Sequence, residues 1–306
     1  MPVSPLPSPL AIQNLHKKYG EFSAVNDVSF EMKAGEIYGL LGPNGAGKTS
    51  IISCIVTLQE PTSGEILIFG KSPHRHPLDV KKYIGFVPQE VINHGYFDVY
   101  EILEFQSGYF GKSKNKEKID FLLNRLGLWE HRNKKVKALS GGMKRRLLIA
   151  KALVHDPKIL LLDEPTAGVD IELRLSLWDF VLELKKQGIS ILLTTHYLEE
   201  AEELCDRVGI LQKGKLLTEG PTKQLVHKMT KRKIFLKLRA DEKTIAKLQH
   251  PQMVGVIDNT WEFLVSPEKG IGELLDELGL STSAVLDVKI EEGSLEDAFR
   301  HVLGTL

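Results

Sequence analysis

The sequence predicts an α/β fold with a mostly parallel central sheet, an antiparallel β arm, an α-helical subdomain and a small C-terminal α+β domain. A glycine-rich loop at residues 42–49 stands between a strand-like apolar run and a helix-like run. Residues 158–163 and 190–195 are two further apolar runs with turn signals around them. Such runs suit strands that are covered on both faces. Because helical stripes alternate with them, we expect a three-layer domain with ligands at the carboxyl ends of its strands.

The elements of the first 220 residues follow from the hydrophobic pattern. Residues 1–10 are rich in proline and predict a flexible arm rather than a signal peptide. Between about residues 95 and 155 apolar side chains recur at helical spacing, which predicts the helical subdomain of a domain spanning 11–220. A helix over 173–184 and a glutamate-rich helix after His196 are also predicted. Alternation of polar and apolar residues predicts strands at 11–20 and 24–30. A strand at 65–69 is predicted after the turn at Ser63 and Gly64, and a short buried strand at 83–87.

A small accessory domain is predicted at residues 225–306. The hydrophobic pattern changes after Gly220 and Pro221, where short strand-like and helix-like runs begin to alternate. Ser294 and Asp297 have the spacing of a capping box that opens a last helix. Strands are predicted at 234–238, 261–265 and 284–290, and the other helices at 245–248 and 271–278.

The composition disfavours several classes of protein. The 306 residues hold 40 Lys plus Arg and 40 Asp plus Glu, so the formal net charge is zero. A neutral chain lacks the basic footprint of a nucleic-acid-binding protein, and we expect no nucleic acid partner. No apolar run approaches the roughly 18 residues of a membrane span, so we expect no span in this chain. Cys54 and Cys205 stand alone in apolar contexts and predict buried, reduced thiols.

The glycine-rich loop has the spacing of a phosphate-binding loop, G-x-x-x-x-G-K-[ST]. Its glycines let the backbone wrap closely around phosphate oxygens, and its N–H groups and the following helix face the anion. Lys48 is expected to reach the β- and γ-phosphates, and the Thr49 hydroxyl to hold Mg²⁺. The predicted nucleotide-binding residues here are Gly42, Pro43, Asn44, Gly45, Ala46, Gly47, Lys48, Thr49 and Ser50.

Two adjacent carboxylates, Asp163 and Glu164, end the apolar run of residues 159–162. Burying an unpaired charge is costly, so carboxylates that leave a buried strand point to a site. We expect Asp163 to hold Mg²⁺, usually through water, and Glu164 to accept a proton from an attacking water. The alternative is a pair of solvated loop carboxylates.

With these motifs on the chain, residues 11–220 resemble an ATP-binding cassette (ABC) ATPase. Residues 139–143 read Leu-Ser-Gly-Gly-Met and resemble the family's signature loop, about twenty residues before the carboxylate pair. The resemblance implies that Ser140, Gly141 and Gly142 offer backbone N–H groups to a γ-phosphate. Met143 stands where glutamine is most frequent in the family. Methionine occurs there in exporter-like branches, so the departure does not imply lost activity.

Four further residues gain a role only from this resemblance. Gln89 resembles the glutamine that contacts Mg²⁺ and water, and His196 the switch histidine that touches the γ-phosphate. Tyr19 matches the aromatic residue that stacks on adenine, and Asp170 belongs to the loop that crosses to a second subunit. Catalytic roles are therefore expected for Glu164, His196 and Gln89.

The resemblance also implies partners and a cellular site. In this family two cassettes pair head to tail, and each ATP lies between the phosphate loop of one copy and the signature loop of the other. A second copy and a separately encoded transmembrane permease are thus the expected partners, with ATP and Mg²⁺ as cofactors. The chain is expected at the cytoplasmic face of the plasma (inner) membrane. Residues 90–109 are where we expect a helix of the permease to dock.

Among ABC proteins the chain is most similar to bacterial ABC-2-type exporter ATPases. Residues 168–170, 197–202 and 294–299 carry this similarity, and the group exports drugs, lipids or glycoconjugates. Translation-factor, chromosome-maintenance and excision-repair members need a second cassette, long coiled coils or cysteine clusters that the sequence lacks. A regulatory ATPase without transport and an importer subunit are alternatives that stay open.

Two charged segments are interpreted as solvated helix faces. One is Lys144-Arg145-Arg146, for which contact with lipid headgroups is the alternative. The other consists of Glu199, Glu200, Glu202 and Glu203.

Overall fold

The structure is a computed structural model that describes residues 7–90, 95–239 and 250–304. The chain divides into two compact units, Met1–Gly220 and Pro221–Leu306. The helix predicted at 245–248 lies outside the described residues, as do residues 1–6 of the predicted arm. The prediction of a flexible arm is wrong at Leu10, because this residue begins a strand and is fully buried.

The first unit contains nine strands and seven α-helices among its described residues. Its strands are β1 (Leu10–Tyr19), β2 (Phe22–Met32), β3 (Ile37–Leu41), β4 (Ser63–Ile68), β5 (Ile84–Val87), β6 (Ile159–Asp163), β7 (Ser190–Thr195), β8 (Arg207–Gln212) and β9 (Lys215–Pro221). Its helices are α1 (Lys48–Ile55), α2 (Pro77–Lys81), α3 (Val99–Tyr109), α4 (Lys116–Arg125), α5 (Gly141–Leu153), α6 (Ile171–Lys186) and α7 (Leu198–Leu204).

A six-stranded sheet in the order β5-β6-β7-β3-β8-β9 forms the centre of this unit. The pairs β5/β6, β6/β7, β7/β3 and β3/β8 are parallel, as predicted. Every residue of β3, β6 and β7 is buried, which explains their uninterrupted apolar sequences. Strand order places β6 and β7 beside β3, so the ends of all three strands share one edge of the sheet. The phosphate loop, the carboxylate pair and His196 follow these strands, which brings them together.

A second sheet is antiparallel, has the order β2-β1-β4 and corresponds to the antiparallel β arm that the sequence predicts. Its inner face contributes to one core with β3 and α1, through residues such as Leu10, Phe30 and Met32. Tyr19 pairs with Phe22 at the tip of the β1–β2 hairpin. Two aromatic side chains therefore stand together at one end of this sheet.

The helical subdomain consists of α3, α4 and α5. A capping box formed by Asp98 and Glu101 begins α3, and Ser140 is the N-cap of α5. Within α5 the prediction of a solvated Lys144–Arg146 face is wrong for Arg145, whose exposure is 3%. Glu200 on α7 is fully buried as well, so the solvated face predicted there is also wrong at that position.

The second unit is a four-stranded antiparallel sheet with three α-helices among its described residues. The strands are β10 (Arg232–Leu238), β11 (Met253–Ile257), β12 (Thr260–Val265) and β13 (Val285–Glu291), in the order β11-β12-β10-β13. The helices are α8 (Thr222–Met229), α9 (Ile271–Glu277) and α10 (Leu295–Leu303). Alternate residues of β10 and β12, such as Leu236, Trp261 and Phe263, pack with Leu274 of α9 in a separate core. The predicted capping box of Ser294 and Asp297 is confirmed. In neither unit do the described residues include a helix with the length and apolarity to cross a bilayer.

Candidate nucleotide site

The phosphate loop connects β3 to α1, and two close approaches fix its path. A Cβ atom on Gly42 would lie 2.4 Å from the carbonyl oxygen of Leu211, and one on Gly47 would lie 2.5 Å from that of Ala24. Gly47 also has a φ of 108°, which a side chain disfavours strongly. Only glycine therefore allows the loop to lie against β2 and β8 while it turns into α1.

Lys48, the first residue of α1, lies within the loop and is only 5% exposed. Its Nζ atom donates to the carbonyl oxygen of Gly42 at 2.7 Å and lies 3.7 Å from Oε1 of Glu164. Burial lowers the pKa of Lys48, and the neighbouring Glu164 and Asp163 carboxylates oppose that change. The ammonium group is thus aimed into the loop, where a phosphate chain would meet it.

Three side chains converge on the carboxylate of Glu164. Nε2 of Gln89 donates to Oε2 at 3.2 Å, and Nδ1 of His196 lies 3.2 Å from the same oxygen. The Lys48 ammonium is close to the other oxygen. Glu164 is nearly buried and has a φ of 47°, a left-handed conformation that is uncommon for a side chain larger than glycine. This strained backbone is placed at the point where β6 ends.

Asp163 is held by hydroxyl groups. The Thr194 hydroxyl donates to its Oδ1 at 2.5 Å, and Thr49 forms a second side-chain hydrogen bond. Burial raises the pKa of Asp163 above its ordinary value, and the two hydroxyl groups act in the opposite direction. Asp163 thus contacts Thr49, while Glu164 faces Gln89 and His196.

An open cavity of about 490 Å³ lies over the phosphate loop. Of the predicted site residues, those that line it are Tyr19, Asn44, Gly45, Ala46, Gly47, Lys48, Thr49, Ser50, Gln89, Glu164 and His196. Gly42, Pro43 and Asp163 lie behind this lining: Lys48 contacts the carbonyl groups of the first two, and Asp163 contacts Thr49. The structure does not bring Ser140, Gly141, Gly142 or Asp170 to the cavity.

Several residues at or near the site were not predicted from the sequence. Phe22, Ala24 and Ala167 also line the cavity. Phe22 is an exposed aromatic next to Tyr19, and its place in the hairpin turn is the signal that could have found it. Arg145 and Glu200 are buried behind the site, and no local pattern distinguishes them from their solvated neighbours.

A larger open cavity, of about 1090 Å³, lies within the second unit. Its lining includes Lys228, Lys231 and Lys233 but has no glycine loop and no paired carboxylates at a strand end. The candidate site is therefore assigned to the smaller cavity, where the groups that suit phosphate chemistry converge.

Comparison with known proteins agrees with this geometry. The family model described as ABC transporter matches residues 25–167. Nod factor export ATP-binding protein I of Burkholderia orbicola is 41% identical over 221 residues, which cover 72% of this chain and 73% of the relative. Linearmycin resistance ATP-binding protein LnrL of Bacillus subtilis is 34% identical over 305 residues, covering 96% of this chain and 98% of the relative. The second of these similarities extends over both units.

Solved structures of ABC transporter subunits are also similar to this chain over 72% of its length. One, described as an ATP-binding subunit of an ABC transporter, has a TM-score of 0.68 at 28% identity and covers 72% of this chain and 93% of its own. Another, cbiO1 from Clostridium perfringens, part of the ABC transporter complex cbiONQ, has a TM-score of 0.65 at 29% identity, with coverages of 72% and 90%. The α/β fold predicted from the sequence is thereby confirmed. The chain belongs to the ATP-binding proteins of the ABC transporter family, and it is an ATPase.

Proposed function

We propose that this chain is the ATP-hydrolysing subunit of an ABC-type membrane exporter of the ABC-2-like group. Two copies close head to tail on ATP and reopen after hydrolysis, and a separately encoded permease converts that motion into transport. The observation that carries the proposal is the convergence of Gln89, His196 and Lys48 on the carboxylate of Glu164. It supports a carboxylate poised to activate water beside a phosphate loop.

Each of these residues has a distinct role in the proposal. Glu164 accepts the proton of the attacking water. His196 and Gln89 orient that carboxylate and the water, and Lys48 stabilises the charge on the β- and γ-phosphates. Tyr19, exposed at the tip of the β1–β2 hairpin, stacks on the adenine ring, and Phe22 offers a second apolar surface there.

A magnesium ion fits the residues beside Lys48. Thr49, Asp163 and Gln89 supply a hydroxyl, a carboxylate and an amide oxygen, which are the hard ligands that Mg²⁺ prefers. No cluster of three or more His, Cys, Asp or Glu side chains able to hold a metal occurs among the described residues. Few protein ligands are expected, because Mg²⁺ in nucleotide sites keeps waters and binds phosphate oxygens. When bound, the ion neutralises developing charge on the phosphates.

The second half of the site comes from another copy of the chain. ATP-binding subunits of ABC transporters typically dimerise, and Ser140, Gly141, Gly142 and Asp170 lie away from the cavity of their own chain. In the proposed dimer these residues face the γ-phosphate held by the partner's phosphate loop. Binding of ATP then stabilises closure, and hydrolysis removes that stabilisation.

The permease docks on an aromatic groove of the helical subdomain. Phe97 and Phe105 are in contact at a ring distance of 4.8 Å, and Tyr109 is exposed beside them. Lys151 of α5 completes the groove, whose volume is about 310 Å³. Exposed aromatic side chains that line a groove are typical of protein contacts. This groove lies in the segment predicted to meet the permease, and docking there holds the chain at the cytoplasmic face of the plasma membrane.

Export is favoured over import and over regulation without transport. Both relatives described above carry export or resistance in their names, and the similarity to the linearmycin resistance relative covers 96% of this chain. We therefore infer a drug, lipid or glycoconjugate as cargo. Co-purification of the tagged chain from membranes with a multi-span permease, and loss of cargo efflux when the chain is deleted, test export. A required solute-binding protein would instead indicate an importer.

The hydrolytic role is tested by Glu164→Gln. The amide keeps the shape of the side chain but removes the base, so kcat is expected to fall by about 10²–10⁴ with little change in ATP affinity. Steady-state phosphate release and binding of a fluorescent ATP analogue provide the two measurements. Glu183→Gln, which alters a partly exposed ion pair with Arg125 and a hydrogen bond from Gln187, both away from the cavity, is the matched control and should keep wild-type turnover. Unchanged turnover in Glu164→Gln would reject the proposed base.

A further inference from the structure

Arg145 is a buried cation that contacts the backbone of the catalytic segment. It lies on α5, five residues after Ser140, and is 3% exposed. A guanidinium has five N–H donors in a rigid planar arrangement. In this structure all five donate to backbone carbonyl groups, those of Pro88, Gln89, Asp163, Glu164 and Pro165.

Three of these carbonyl groups are consecutive. Nη2 donates to Asp163 at 3.2 Å and to Glu164 at 2.6 Å, and Nε donates to Pro165 at 2.8 Å. Successive carbonyl groups of a strand point to opposite sides, so three can meet one cation only if the chain turns. The left-handed φ of Glu164 makes that turn. A backbone in this region is disfavoured for residues other than glycine and persists where the surroundings hold it.

The third nitrogen of the Arg145 guanidinium binds a second backbone segment, at residues 88–89. Nη1 donates to the carbonyl groups of Pro88 at 2.6 Å and Gln89 at 3.1 Å. The side chain of Gln89 in turn contacts that of Glu164. One guanidinium therefore binds the backbones of Gln89 and Glu164, whose side chains meet in the site. Because Arg145 belongs to α5, both backbones are bonded to the helix that begins at the signature loop.

We propose that Arg145 is a positioning residue that sets the hydrolytic geometry of Glu164 and Gln89 and couples it to the placement of helix α5. The proposal rests on the hydrolytic role of Glu164 given above. Burial favours the neutral form of a guanidinium and lowers the pKa of Arg145, while the neighbouring Asp163, Glu200 and Glu164 carboxylates oppose this. A guanidinium is not deprotonated in proteins, and its charge-assisted hydrogen bonds to the carbonyl groups are strong.

The inference predicts a specific kinetic result for Arg145→Lys. Lysine keeps the charge but has three donors and no planar fork, so it cannot hold two segments at once. We expect kcat to fall about tenfold or more, while the dissociation constant of ATP stays within about twofold, because the hydrogen bonds of Arg145 go to the two catalytic segments and not to the phosphate loop. Arg145→Gln, which removes the charge, should lower kcat further.

A double-mutant cycle separates positioning from general structure. If Arg145 acts through Glu164, Arg145→Lys should change the residual single-turnover rate of Glu164→Gln by less than about twofold. Arg146→Lys is the matched control, because its guanidinium donates to Leu126 within the helical subdomain. Any effect of Arg146→Lys on the rate should be the same in the wild-type and the Glu164→Gln backgrounds.

The outcomes distinguish the inference from the proposal on which it rests. An equal loss of rate from Arg145→Lys in both backgrounds, or unchanged kcat, would overturn the positioning role while leaving Glu164 as base. Unchanged turnover in Glu164→Gln alone would instead reject the proposed base. Thermal unfolding is measured for each variant. If both Arg145 variants fail to fold while Arg146→Lys folds, Arg145 is a structural residue and the inference is wrong.

Discussion

Gly47→Ala should abolish tight ATP binding, because two separate obstacles meet at one Cβ atom. The φ of Gly47 is 108°, beyond the left-handed basin that other residues sometimes occupy. The added carbon would also lie 2.5 Å from the carbonyl oxygen of Ala24, on the backbone of β2. A backbone atom in a sheet cannot rotate away as a side chain can, so the phosphate loop itself has to move.

The size of the effect follows from what such a movement breaks. A hydrogen bond to a charged group contributes about 1.5–3 kcal/mol, so losing two loop-to-phosphate bonds weakens binding by about 3–6 kcal/mol. At about 1.4 kcal/mol for each tenfold change, the dissociation constant should rise by at least 100-fold. Titration with a fluorescent ATP analogue measures it directly.

Gly188→Ala provides the matched control for backbone strain. Gly188 also has a positive φ, of 86°, but its Cβ would meet open space at the end of α6, and it does not line the cavity. This variant should lose about 1–2 kcal/mol of stability and keep its ATP affinity. If Gly47→Ala bound ATP within about tenfold of the wild-type chain, the close approach to β2 would not control the loop.

Two further predictions concern stability. Burial raises the pKa of Glu200, so the folded chain holds this proton more tightly than the unfolded chain. The stabilisation from the bound proton is present below the unfolded pKa of about 4.3 and is lost as the pH rises through the folded pKa. Between these two pKa values, the free energy of unfolding of Glu200→Gln should rise relative to that of the wild-type chain by up to about 1.4 kcal/mol per pH unit. Calorimetry across this range should reveal the trend, and a constant difference contradicts it. Ser294→Ala removes the cap of α10 and should destabilise the second unit by about 1 kcal/mol, whereas the exposed Ser281→Ala should not.

The convergence of the residues predicted around the phosphate loop could be expected from the sequence because their signals are local. Strands β3, β6 and β7 show uninterrupted apolar runs, and the residues that matter follow each run directly. Parallel strands bring their carboxyl ends to one edge, so neighbours in space could be inferred from position along each strand. The convergence of Gln89, Glu164 and His196 follows from that rule together with the family resemblance.

Arg145 and Glu200 could not be found in this way. Each stands in a run of like charges that normally indicates solvent, and each is buried because its partners come from distant parts of the chain. The carbonyl groups that bind Arg145 belong to segments 18 to 57 residues away, and Glu200 accepts hydrogen bonds from Thr166 and Trp178. Strands β8 and β9 were missed for a related reason. Their hairpin turn, Lys213-Gly214, lies among charged residues that resemble an open loop.

The cap of α5 has a consequence for how two copies separate. The Ser140 hydroxyl accepts a hydrogen bond from the N–H group of Met143 at 3.3 Å, so this N–H group in the first turn has a partner within its own chain. In the proposed dimer a phosphate of the opposite nucleotide can take over that N–H group, since helix N-termini favour anions. Losing such a cap costs about 1 kcal/mol, and regaining it returns the same amount. The helix therefore exchanges one acceptor for another, and after phosphate leaves, the serine hydroxyl is available at once to replace it.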